Sequence, residues 1–281
     1  MTADIIYREL KKALLPVAGE ASAYEAKEIL GSVLELKEAE FSMLPFSKKE
    51  VSEDALKAIQ TILARRKQHE PLEYILGYAW FYGLRFCVSS DCLIPQADTE
   101  IVCEKLISRL KNGMRFADIC TGSGCIALAA LTETQNTSAV GYEISDGALA
   151  IAQKNADLFG LSKRLTLKKA DVFASDFLND ENEFDFIVSN PPYIETAVIE
   201  TLAPEVQNEP HIALDGGADG LIFYRRLLEI CPKHIKKGGA LLLEIGYDQK
   251  EPLTKLCEER GLAHAFYRDF GGNDRVLAIL L

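Results

Sequence analysis

The segment Ser189-Asn190-Pro191-Pro192-Tyr193 carries side chains that suit chemistry on a planar amino group, and it follows an apolar run at 184–188. Two successive prolines end a strand and stiffen the chain. The Asn190 side-chain oxygen and the Pro191 carbonyl can each accept one N–H of an NH2 group, and the Tyr193 ring can lie on the substrate plane. The segment therefore predicts a clamp that orients a weakly nucleophilic nitrogen. We predict as catalytic residues Asn190, Pro191, Pro192 and Tyr193.

A second segment, Asp118-Ile-Cys-Thr-Gly-Ser-Gly124, lies between a predicted strand and a predicted helix. A glycine turn there lets a ligand approach the backbone, and the helix N-terminus offers N–H groups to a carboxylate. Glu143 ends the next predicted strand, where sheets of this kind hold a ribose diol. After the third strand, Asp171 can meet an adenine edge while Val172 packs on the ring. The predicted cofactor-binding residues are Asp118, Cys120, Thr121, Gly122, Ser123, Gly124, Glu143, Ile144, Asp171, Val172 and Asn190.

The glycine pattern also limits the kind of cofactor. A nicotinamide dinucleotide site requires G-x-G-x-x-G, and the third glycine of that fingerprint is missing after Gly124. A single nucleoside that carries an amino-acid carboxylate fits this loop better than a dinucleotide. In a parallel sheet the ends of successive strands meet at one edge, so the Asn190 segment is predicted to lie beside the cofactor.

Composition and charge narrow the class of protein. The formal net charge of the 281 residues is −11, and nearly all of it falls after residue 90, which disfavours binding to the phosphates of nucleic acid. The seven cysteines form no CxxC pair, and the four histidines show no ligand spacing, so we expect free thiols and no metal site. No apolar run approaches the ~20 residues of a membrane span, and the N-terminus mixes charges of both signs. We therefore expect a cytoplasmic protein that does not bind membranes, and a monomer.

The remaining sequence supplies the elements that position these residues. Helical periodicity runs from residue 5 to about 68, and an aromatic stretch from 72 to 88 with two glycines predicts a β-hairpin. From residue 116 strands and helices alternate, which is typical of a doubly wound α/β sheet. The predicted strands lie near 115–119, 139–143, 165–169, 184–188, 240–245, 264–268 and 275–280, and the predicted helices near 125–134, 146–158, 220–235 and 249–259.

Together these patterns predict an α/β fold with a seven-stranded, mostly parallel sheet, a small N-terminal helical domain and a linking β-hairpin. The predicted boundaries are 1–70 for a helical substrate-recognition domain, 71–92 for the hairpin linker and 93–281 for the catalytic domain.

With these motifs in place, the sequence resembles the class I S-adenosylmethionine-dependent methyltransferases, and within them the release factor glutamine methyltransferases of the PrmC/HemK type. The resemblance covers nearly the whole chain. The segments that carry it are 71–77, 93–95 with 99–100, 118–124, 143–145 with 148–149 and 155–156, 184–194, and 209–217. It implies S-adenosylmethionine as cofactor, peptide chain release factors as protein substrates, and methyl transfer to the glutamine of their Gly-Gly-Gln motif. In that reaction Asn190 and Pro191 would hold the glutamine NH2 group in line with the methyl group.

Two positions depart from the family pattern. The family usually has glycine where Cys120 stands, and Arg-Pro where Gln96 and Ala97 stand. Both departures concern cofactor affinity and closure of the site more than the type of reaction.

Three alternative functions fit parts of the sequence. A glutamine methyltransferase of a ribosomal protein would use the same site. An adenine amino-methyltransferase of nucleic acid shares the Asn-Pro-Pro-Tyr motif but would have to extrude a base and bind phosphates. A catalytically idle cofactor-binding protein would not need an intact Asn190 segment. Labelling of candidate substrates with radioactive S-adenosylmethionine separates these functions.

Overall fold

The computed structural model describes residues 1–36, 38–181, 183–269 and 271–281, without the side chains of residues 38 and 39. The chain forms two compact units. The helical unit consists of Met1–Gly77 and Ala203–Asn208, and the sheet unit consists of Tyr78–Leu202 and Glu209–Leu281.

The helical unit is built from amphipathic helices, as the apolar periodicity predicts. Its helices before residue 78 are α1 (Ala3–Ala18), α2 (Ser22–Val33), α3 (Glu38–Met43), α4 (Glu53–Arg66) and α5 (Leu72–Leu76). Helix α4 begins where the Ser52 hydroxyl accepts a hydrogen bond from the Ala55 N–H, which satisfies a backbone donor that the first turn leaves free. Buried side chains of α1 and α2, among them Leu10, Leu14 and Ile29, form the core of this unit.

A buried charge cluster joins the two stretches of chain in the helical unit. The Arg66 guanidinium donates to the Glu25 carboxylate, and its Nη1 donates to Glu205 Oε1 at 2.9 Å. The His69 Nδ1 atom lies 2.9 Å from the same Glu205 oxygen. Because a buried guanidinium needs its charge and its donors satisfied, Arg66 ties residues 203–208 to the helical unit.

The sheet unit contains a hairpin and a seven-stranded sheet. The strands are β1 (Tyr78–Phe81), β2 (Leu84–Cys87), β3 (Arg115–Ile119), β4 (Ser138–Glu143), β5 (Leu165–Lys169), β6 (Phe184–Ser189), β7 (Ile235–Glu244), β8 (His264–Arg268) and β9 (Asp274–Leu280). The sheet order is β5-β4-β3-β6-β7-β9-β8, and only the pairings of β9 are antiparallel. The connection from β3 runs to β4 on one side, and the connection from β5 crosses to β6 on the other side of β3. The carboxyl ends of β3, β4 and β6 therefore form the switch point at which such sheets bind ligands.

The helices that follow residue 78 connect these strands or lie in the loops after them. They are α6 (Glu100–Ile107), α7 (Cys125–Glu133), α8 (Asp146–Leu158), α9 (Thr196–Ile199), α10 (Pro204–Gln207), α11 (His211–Leu214), α12 (Ile222–Ile230) and α13 (Lys250–Glu259). One sheet face packs on α6, α7 and the hairpin side chains Phe81 and Phe86. The other face packs on α12 and α13.

The predicted fold class is confirmed, and several bounds differ from the prediction. Strand β7 begins at Ile235 and not near 240, and its pairing with β6 is irregular around Gly238 and Gly239. The predicted hairpin stretch begins with α5, and the hairpin itself packs into the core of the sheet unit. The compact units therefore divide at Gly77, with 203–208 added to the first, whereas the sequence predicts divisions at 70 and 92.

The described part of the chain contains no helix both long and apolar enough to cross a bilayer. Within the same residues, no group of three or more histidine, cysteine or acidic side chains is arranged to hold a metal ion. All seven cysteines are free thiols.

Candidate active site

A cavity of about 320 Å³ opens at the carboxyl ends of β3, β4, β5 and β6. This volume lies within the ~300–1,000 Å³ typical of small-molecule sites. The cavity belongs entirely to the sheet unit. Its walls come from the loops after these four strands, from the segment at 91–99, from α11 and from α12.

The loop between β3 and α7 is held by the buried carboxyl of Asp118. Asp118 Oδ2 accepts hydrogen bonds from the Thr121 hydroxyl at 2.6 Å and from the Ala127 N–H at 3.2 Å. Its Oδ1 atom has no hydrogen-bond partner among the described residues. Burial raises the pKa of Asp118 from 3.8 to about 7, although the two hydrogen bonds act in the opposite direction. Asp118 lies behind the cavity wall and braces the loop that forms it.

Cys120 begins this loop in a left-handed backbone conformation, with φ of 59°. That conformation costs a residue with a Cβ atom roughly 1–2 kcal/mol, whereas glycine would adopt it freely. Burial also raises the pKa of the Cys120 thiol well above its usual range. The loop therefore keeps the glycine-like turn even though cysteine occupies it.

Glu143, at the end of β4, organises the cavity floor through backbone groups. Its Oε1 accepts from the N–H groups of Ile144 and Ser145, at 2.8 and 3.0 Å. Its Oε2 accepts from the Gly122 N–H at 3.0 Å, which joins the ends of β3 and β4. A carboxylate has about four acceptor sites, so one remains for a ligand hydroxyl. Release of the Gly122 contact would free a second.

An apolar wall faces Glu143. It contains Val172, which is buried, and Phe173, whose side chain is 42% exposed. Phe173 packs edge to face on Phe223 with ring centroids 4.9 Å apart. Asp171 Oδ1 accepts a hydrogen bond from the Phe173 N–H at 2.8 Å, which stabilises the turn between these residues. Aromatic and aliphatic surfaces opposite a carboxylate suit a flat heterocycle attached to a ribose.

Asn155 of α8 links the cavity to the hairpin. Its side-chain oxygen accepts from the Cys87 N–H at 2.7 Å, and its Nδ2 donates to the carbonyls of Cys87 and Ser123, at 3.0 and 2.9 Å. The side chain is fully buried. Among the described residues, the three side-chain hydrogen bonds of Asn155 are all with main chain, so it fixes the glycine loop against β2.

The Asn190 segment follows β6 on the opposite side of the cavity. The Asn190 Nδ2 atom donates to the hydroxyl of Thr99 at 3.1 Å, which leaves its Oδ1 atom available as an acceptor. The Ser189 hydroxyl donates to the Ile119 carbonyl at 2.6 Å and ties the end of β6 to β3. Asn190 and Pro192 line the cavity, whereas Pro191 lies behind them.

The backbone of Tyr193 is fixed from the side away from the cavity. The Gln249 side chain donates to the Tyr193 carbonyl at 2.9 Å. A Cβ atom at Gly216 would lie 2.7 Å from Tyr193 Cα, and one at Gly220 would lie 2.4 Å from the Tyr193 carbonyl oxygen. Only glycine permits these approaches. The Tyr193 ring packs with the core under α12 and is not among the residues that line the cavity, and its contact with a substrate plane stays a prediction.

The segment at 91–99 covers another side of the cavity. The Ile94 N–H donates to Glu209 Oε2 at 2.9 Å, which joins this segment to the loop that contains α11. Gln96 Nε2 donates to the Ile94 carbonyl at 3.2 Å, so its side chain folds back on its own segment. Gln96 therefore supplies a local hydrogen bond within this segment.

Most of the predicted site residues meet in this one cavity. Those that line it are Cys120, Thr121, Gly122, Ser123, Glu143, Ile144, Asp171, Val172, Asn190 and Pro192. Those that lie behind its wall are Asp118, Gly124, Pro191 and Tyr193. The arrangement offers a carboxylate, apolar surfaces and a glycine loop on one side and an amide oxygen on the other.

Comparison with known proteins decides the family. A family model of the PrmC N-terminal domain matches residues 7–77, and one of the methyltransferase small domain matches residues 96–217. The release factor glutamine methyltransferase of Agrobacterium fabrum is 36% identical over 272 residues, which cover 94% of this chain and 92% of that protein. The chain belongs to the release factor glutamine methyltransferase family. The enzyme of the same name from Geobacter sulfurreducens is 42% identical over 82% of this chain and 80% of its own length.

Solved structures support the fold of this family member. The catalytic domain of hMettl16, solved in complex with an RNA hairpin, has a TM-score of 0.57, with 17% identity and 83% coverage of both chains. At that identity the likeness concerns the fold alone. The fold is therefore shared with a methyltransferase outside the release factor glutamine methyltransferase family.

Sequence reasoning missed several residues of this site. Phe173, Phe177 and Phe223 form much of the apolar wall, and only Phe173, next to Val172, carried a local signal. Glu244 also escaped notice, although an acidic residue at the end of an apolar strand is the same signal that identified Asp118 and Glu143. Its position behind Asn190 depends on the pairing of β6 with β7.

Proposed function

We propose that this enzyme transfers the methyl group of S-adenosylmethionine to the side-chain amide nitrogen of the glutamine in the Gly-Gly-Gln motif of a peptide chain release factor. The orientation of Asn190 carries the proposal. Because its Nδ2 is engaged by Thr99, its Oδ1 faces the cavity as an acceptor for one N–H of a substrate amide. The full-length similarity to relatives named for this activity supports it.

The cavity has the donors and surfaces that S-adenosylmethionine needs. Glu143 has a free acceptor site for a ribose hydroxyl, and the wall of Val172 and Phe173 can cover an adenine ring. The glycine loop and the first turn of α7 offer N–H groups to the methionine carboxylate. When bound, S-adenosylmethionine supplies an electrophilic methyl group on a positively charged sulfur.

The residues of the Asn190 segment would orient the nucleophile. In the transfer, the glutamine nitrogen forms a bond to the methyl carbon as the carbon–sulfur bond breaks, and the nitrogen then loses a proton to water. Asn190 Oδ1 would accept one of the two N–H groups, so the developing positive charge on nitrogen meets this oxygen. Alignment of the nitrogen with the methyl carbon would supply much of the rate enhancement.

The substrate assay offers labelled S-adenosylmethionine with purified release factor, ribosomal proteins, rRNA or DNA. We expect label on the release factor, at a glutamine that mass spectrometry identifies, and none on a release factor whose Gly-Gly-Gln is changed to Gly-Gly-Asn. Label on DNA or rRNA and not on protein would overturn the proposal. Label on a ribosomal protein alone would favour the alternative protein substrate.

Substitution of Asn190 by alanine tests its role. In Asn190→Ala we expect kcat to fall about 100- to 1,000-fold, the size of the loss when one preorganised polar contact to a transition state is removed. The affinity for S-adenosylmethionine, measured by calorimetry, should change less than about threefold. Asn179→Ala is the matched control, because Asn179 is exposed in a turn away from the cavity. Full activity of Asn190→Ala would remove Asn190 from this role.

The helical unit is proposed to recognise the release factor outside its glutamine loop. The match of residues 7–77 to the family model of the PrmC N-terminal domain supports this. The unit also has apolar residues on its surface, Phe46 and Met43, which are 73% and 60% exposed to solvent. We expect a lower KM for the intact release factor than for a short Gly-Gly-Gln peptide. Phe46→Ser should raise the KM for the protein and leave that for the peptide unchanged. Equal KM values for protein and peptide would argue against recognition by this unit.

A further inference from the structure

The side chain of Gln249 joins three separate stretches of main chain near the carboxyl end of β7. Gln249 stands immediately before α13 and is only 8% exposed. Its Oε1 accepts a hydrogen bond from the Gly246 N–H at 2.9 Å, and its Nε2 donates to the carbonyls of Tyr193 and Gly220, at 2.9 and 3.2 Å. An amide group has two N–H donors and one oxygen with two lone pairs. These contacts therefore use both donors of Gln249.

The partners of Gln249 permit only one orientation of its amide group. The Gly246 N–H can only donate and the two carbonyls can only accept, so a flipped amide would turn its oxygen toward two other oxygens. The Tyr224 hydroxyl also lies 3.2 Å from Oε1, but it is closer to the Glu244 carbonyl, at 2.8 Å. The main-chain contacts therefore fix the orientation of Gln249 without the hydroxyl.

The Asn190 segment runs between two anchored ends. Its first residue is tied to β3 through the Ser189 hydroxyl, which donates to a main-chain carbonyl at 2.6 Å. Its last residue is tied to Gln249 through the Tyr193 carbonyl. The two prolines between these ends each fix one dihedral angle of the chain. A displacement of Tyr193 is therefore passed on to Asn190.

The loop at 216–220 packs against the second of these anchors. A Cβ atom at Gly220 would lie 2.4 Å from the Tyr193 carbonyl oxygen and 2.8 Å from Gln249 Nε2. A Cβ atom at Gly216 would lie 2.7 Å from Tyr193 Cα. The close approach of both glycines holds the Tyr193 carbonyl against its donor on Gln249.

We propose that Gln249 is a positioning residue for methyl transfer, which holds the Tyr193 end of the Asn190 segment and thereby keeps Asn190 Oδ1 in place for the substrate amide. Gln249 is not among the described residues that line the cavity, so it acts through the main chain of the segment and not by contact with a substrate. This proposal rests on the proposed function for its effect on kcat.

Steady-state kinetics of two Gln249 variants give the first test. Gln249→Glu keeps the size and the acceptor toward Gly246 but loses both donors, and Gln249→Met has a similar length and no charge. In both we expect kcat to fall about 10- to 100-fold, as when a reacting group is misplaced by about 1 Å. The affinity for S-adenosylmethionine, measured by calorimetry, should stay within about twofold. Unchanged kcat in both variants, or an affinity that falls as much as kcat, would overturn the proposal.

Tyr224→Phe is the matched control for a loss of stability. It removes a buried hydroxyl that contacts Gln249 Oε1 and leaves both donors of Gln249 with their carbonyls. Urea unfolding should show a loss of stability similar to that of Gln249→Glu, while kcat should stay within about twofold of the wild type. A fall in kcat as large as that of Gln249→Glu would show that lower stability alone explains the loss, which contradicts a positioning role.

Gly220→Ala disturbs the same hydrogen bond from its other side. The added Cβ would displace the Tyr193 carbonyl or Gln249 Nε2, so kcat should fall about as much as in Gln249→Glu. The double variant should be about as active as either single variant, because both break one contact. Losses that multiply in the double variant would contradict a shared path.

Hydrogen–deuterium exchange without substrate separates this proposal from the proposed function. The Ile194 N–H donates to the Leu214 carbonyl at 3.0 Å and reports on the end of the Asn190 segment. A peptide that covers residues 190–196 should exchange faster in Gln249→Glu than in the wild type, and at the wild-type rate in Tyr224→Phe. If the wild type fails to methylate release factors, the proposed function fails while this measurement still decides whether Gln249 holds the segment. Equal exchange in the wild type and Gln249→Glu would refute the inference.

Discussion

Two buried acids stand at the ends of strands in the same sheet, Asp118 in β3 and Glu244 in β7, and their partners differ. Asp118 is bound by Thr121 and Ala127, which lie three and nine residues further along the chain. At Glu244 the main-chain carbonyl accepts a hydrogen bond from the Tyr224 hydroxyl at 2.8 Å, and Tyr224 belongs to the distant helix α12. Each acid has one oxygen without a partner among the described residues. Asp118 organises its own loop, whereas Glu244 lies where segments distant in the sequence meet.

The same difference between local and distant partners distinguishes the half of the site proposed for the cofactor from the half proposed for the substrate amide. Local hydrogen bonds to main chain, from Asp118, Glu143 and Asn155, shape the half proposed for the cofactor. Contacts between side chains that are distant in sequence shape the half proposed for the amide. A change in the first half should therefore alter cofactor affinity, and a change in the second should alter kcat.

The largest expected effect is the change in the free energy of unfolding with pH. The pKa values of Asp118 and Glu244 are raised to about 7 in the folded protein, from 3.8 and 4.5. The folded state therefore binds more protons, and both groups contribute most below their unfolded pKa values. Their contribution is lost as pH rises through about 4 to 7, by roughly 3–4 kcal/mol for each group.

Urea unfolding at pH 4.5 and pH 8 measures this contribution. Between these two values the wild type should lose more stability than Asp118→Asn or Glu244→Gln, and the two variants should be alike in this respect. Identical pH dependence in the wild type and in both variants would show that neither acid is neutral in the folded protein.

A second prediction concerns Asn155→Ala. The substitution leaves the main-chain groups of Cys87 and Ser123 without their buried partner, which costs about 2–4 kcal/mol of the free energy of unfolding. We expect weaker binding of S-adenosylmethionine by calorimetry and nearly unchanged kcat at saturating cofactor. A fall in kcat with unchanged affinity would break the division between the two halves.

The third prediction concerns Gly216→Ala, which should change kcat and leave cofactor affinity nearly constant. Its Cβ would lie 2.7 Å from Tyr193 Cα, so the Asn190–Tyr193 segment has to move. We expect a roughly 10- to 100-fold fall in kcat, as for other misplaced catalytic groups, with cofactor affinity within about twofold. Gly271→Ala is the control, because its nearest neighbours are ends of flexible side chains at 3.2 and 3.3 Å.

The smallest effect is expected for Cys120→Gly. Glycine removes the strain of a positive φ, which favours the variant by about 1 kcal/mol, while the lost thiol packing offsets part of this. Cofactor affinity should rise slightly or stay constant. Asn136→Gly, an exposed position with φ of 55°, should leave that affinity unchanged. A clear loss of affinity in Cys120→Gly would assign the thiol a direct contact.

The sequence predicts the features that depend on local residues and misses those that depend on packing between distant segments. The glycine loop, Glu143 and most strand bounds follow from local patterns, and β3 and β5 occupy the predicted residues. Both the early start of β7 at Ile235 and the inward position of Tyr193 result from packing between distant segments. Short helices α9 to α11 carry too few residues for periodicity to show. The position of Glu244 next to the Asn190 segment follows from the pairing of β6 with β7, which no single stretch of sequence contains.

The Arg66 cluster has a consequence for engineering of the enzyme. The chain leaves the sheet unit after residue 202 and returns at 209, so the helical unit is assembled from two separate stretches of the gene. If residues 1–77 were grafted onto a relative without an acid at the position of Glu205, the buried Arg66 guanidinium would keep its pair with Glu25 and lose its second pair. Exchange of the helical unit between relatives should therefore succeed only when residues 203–208 are exchanged together with residues 1–77.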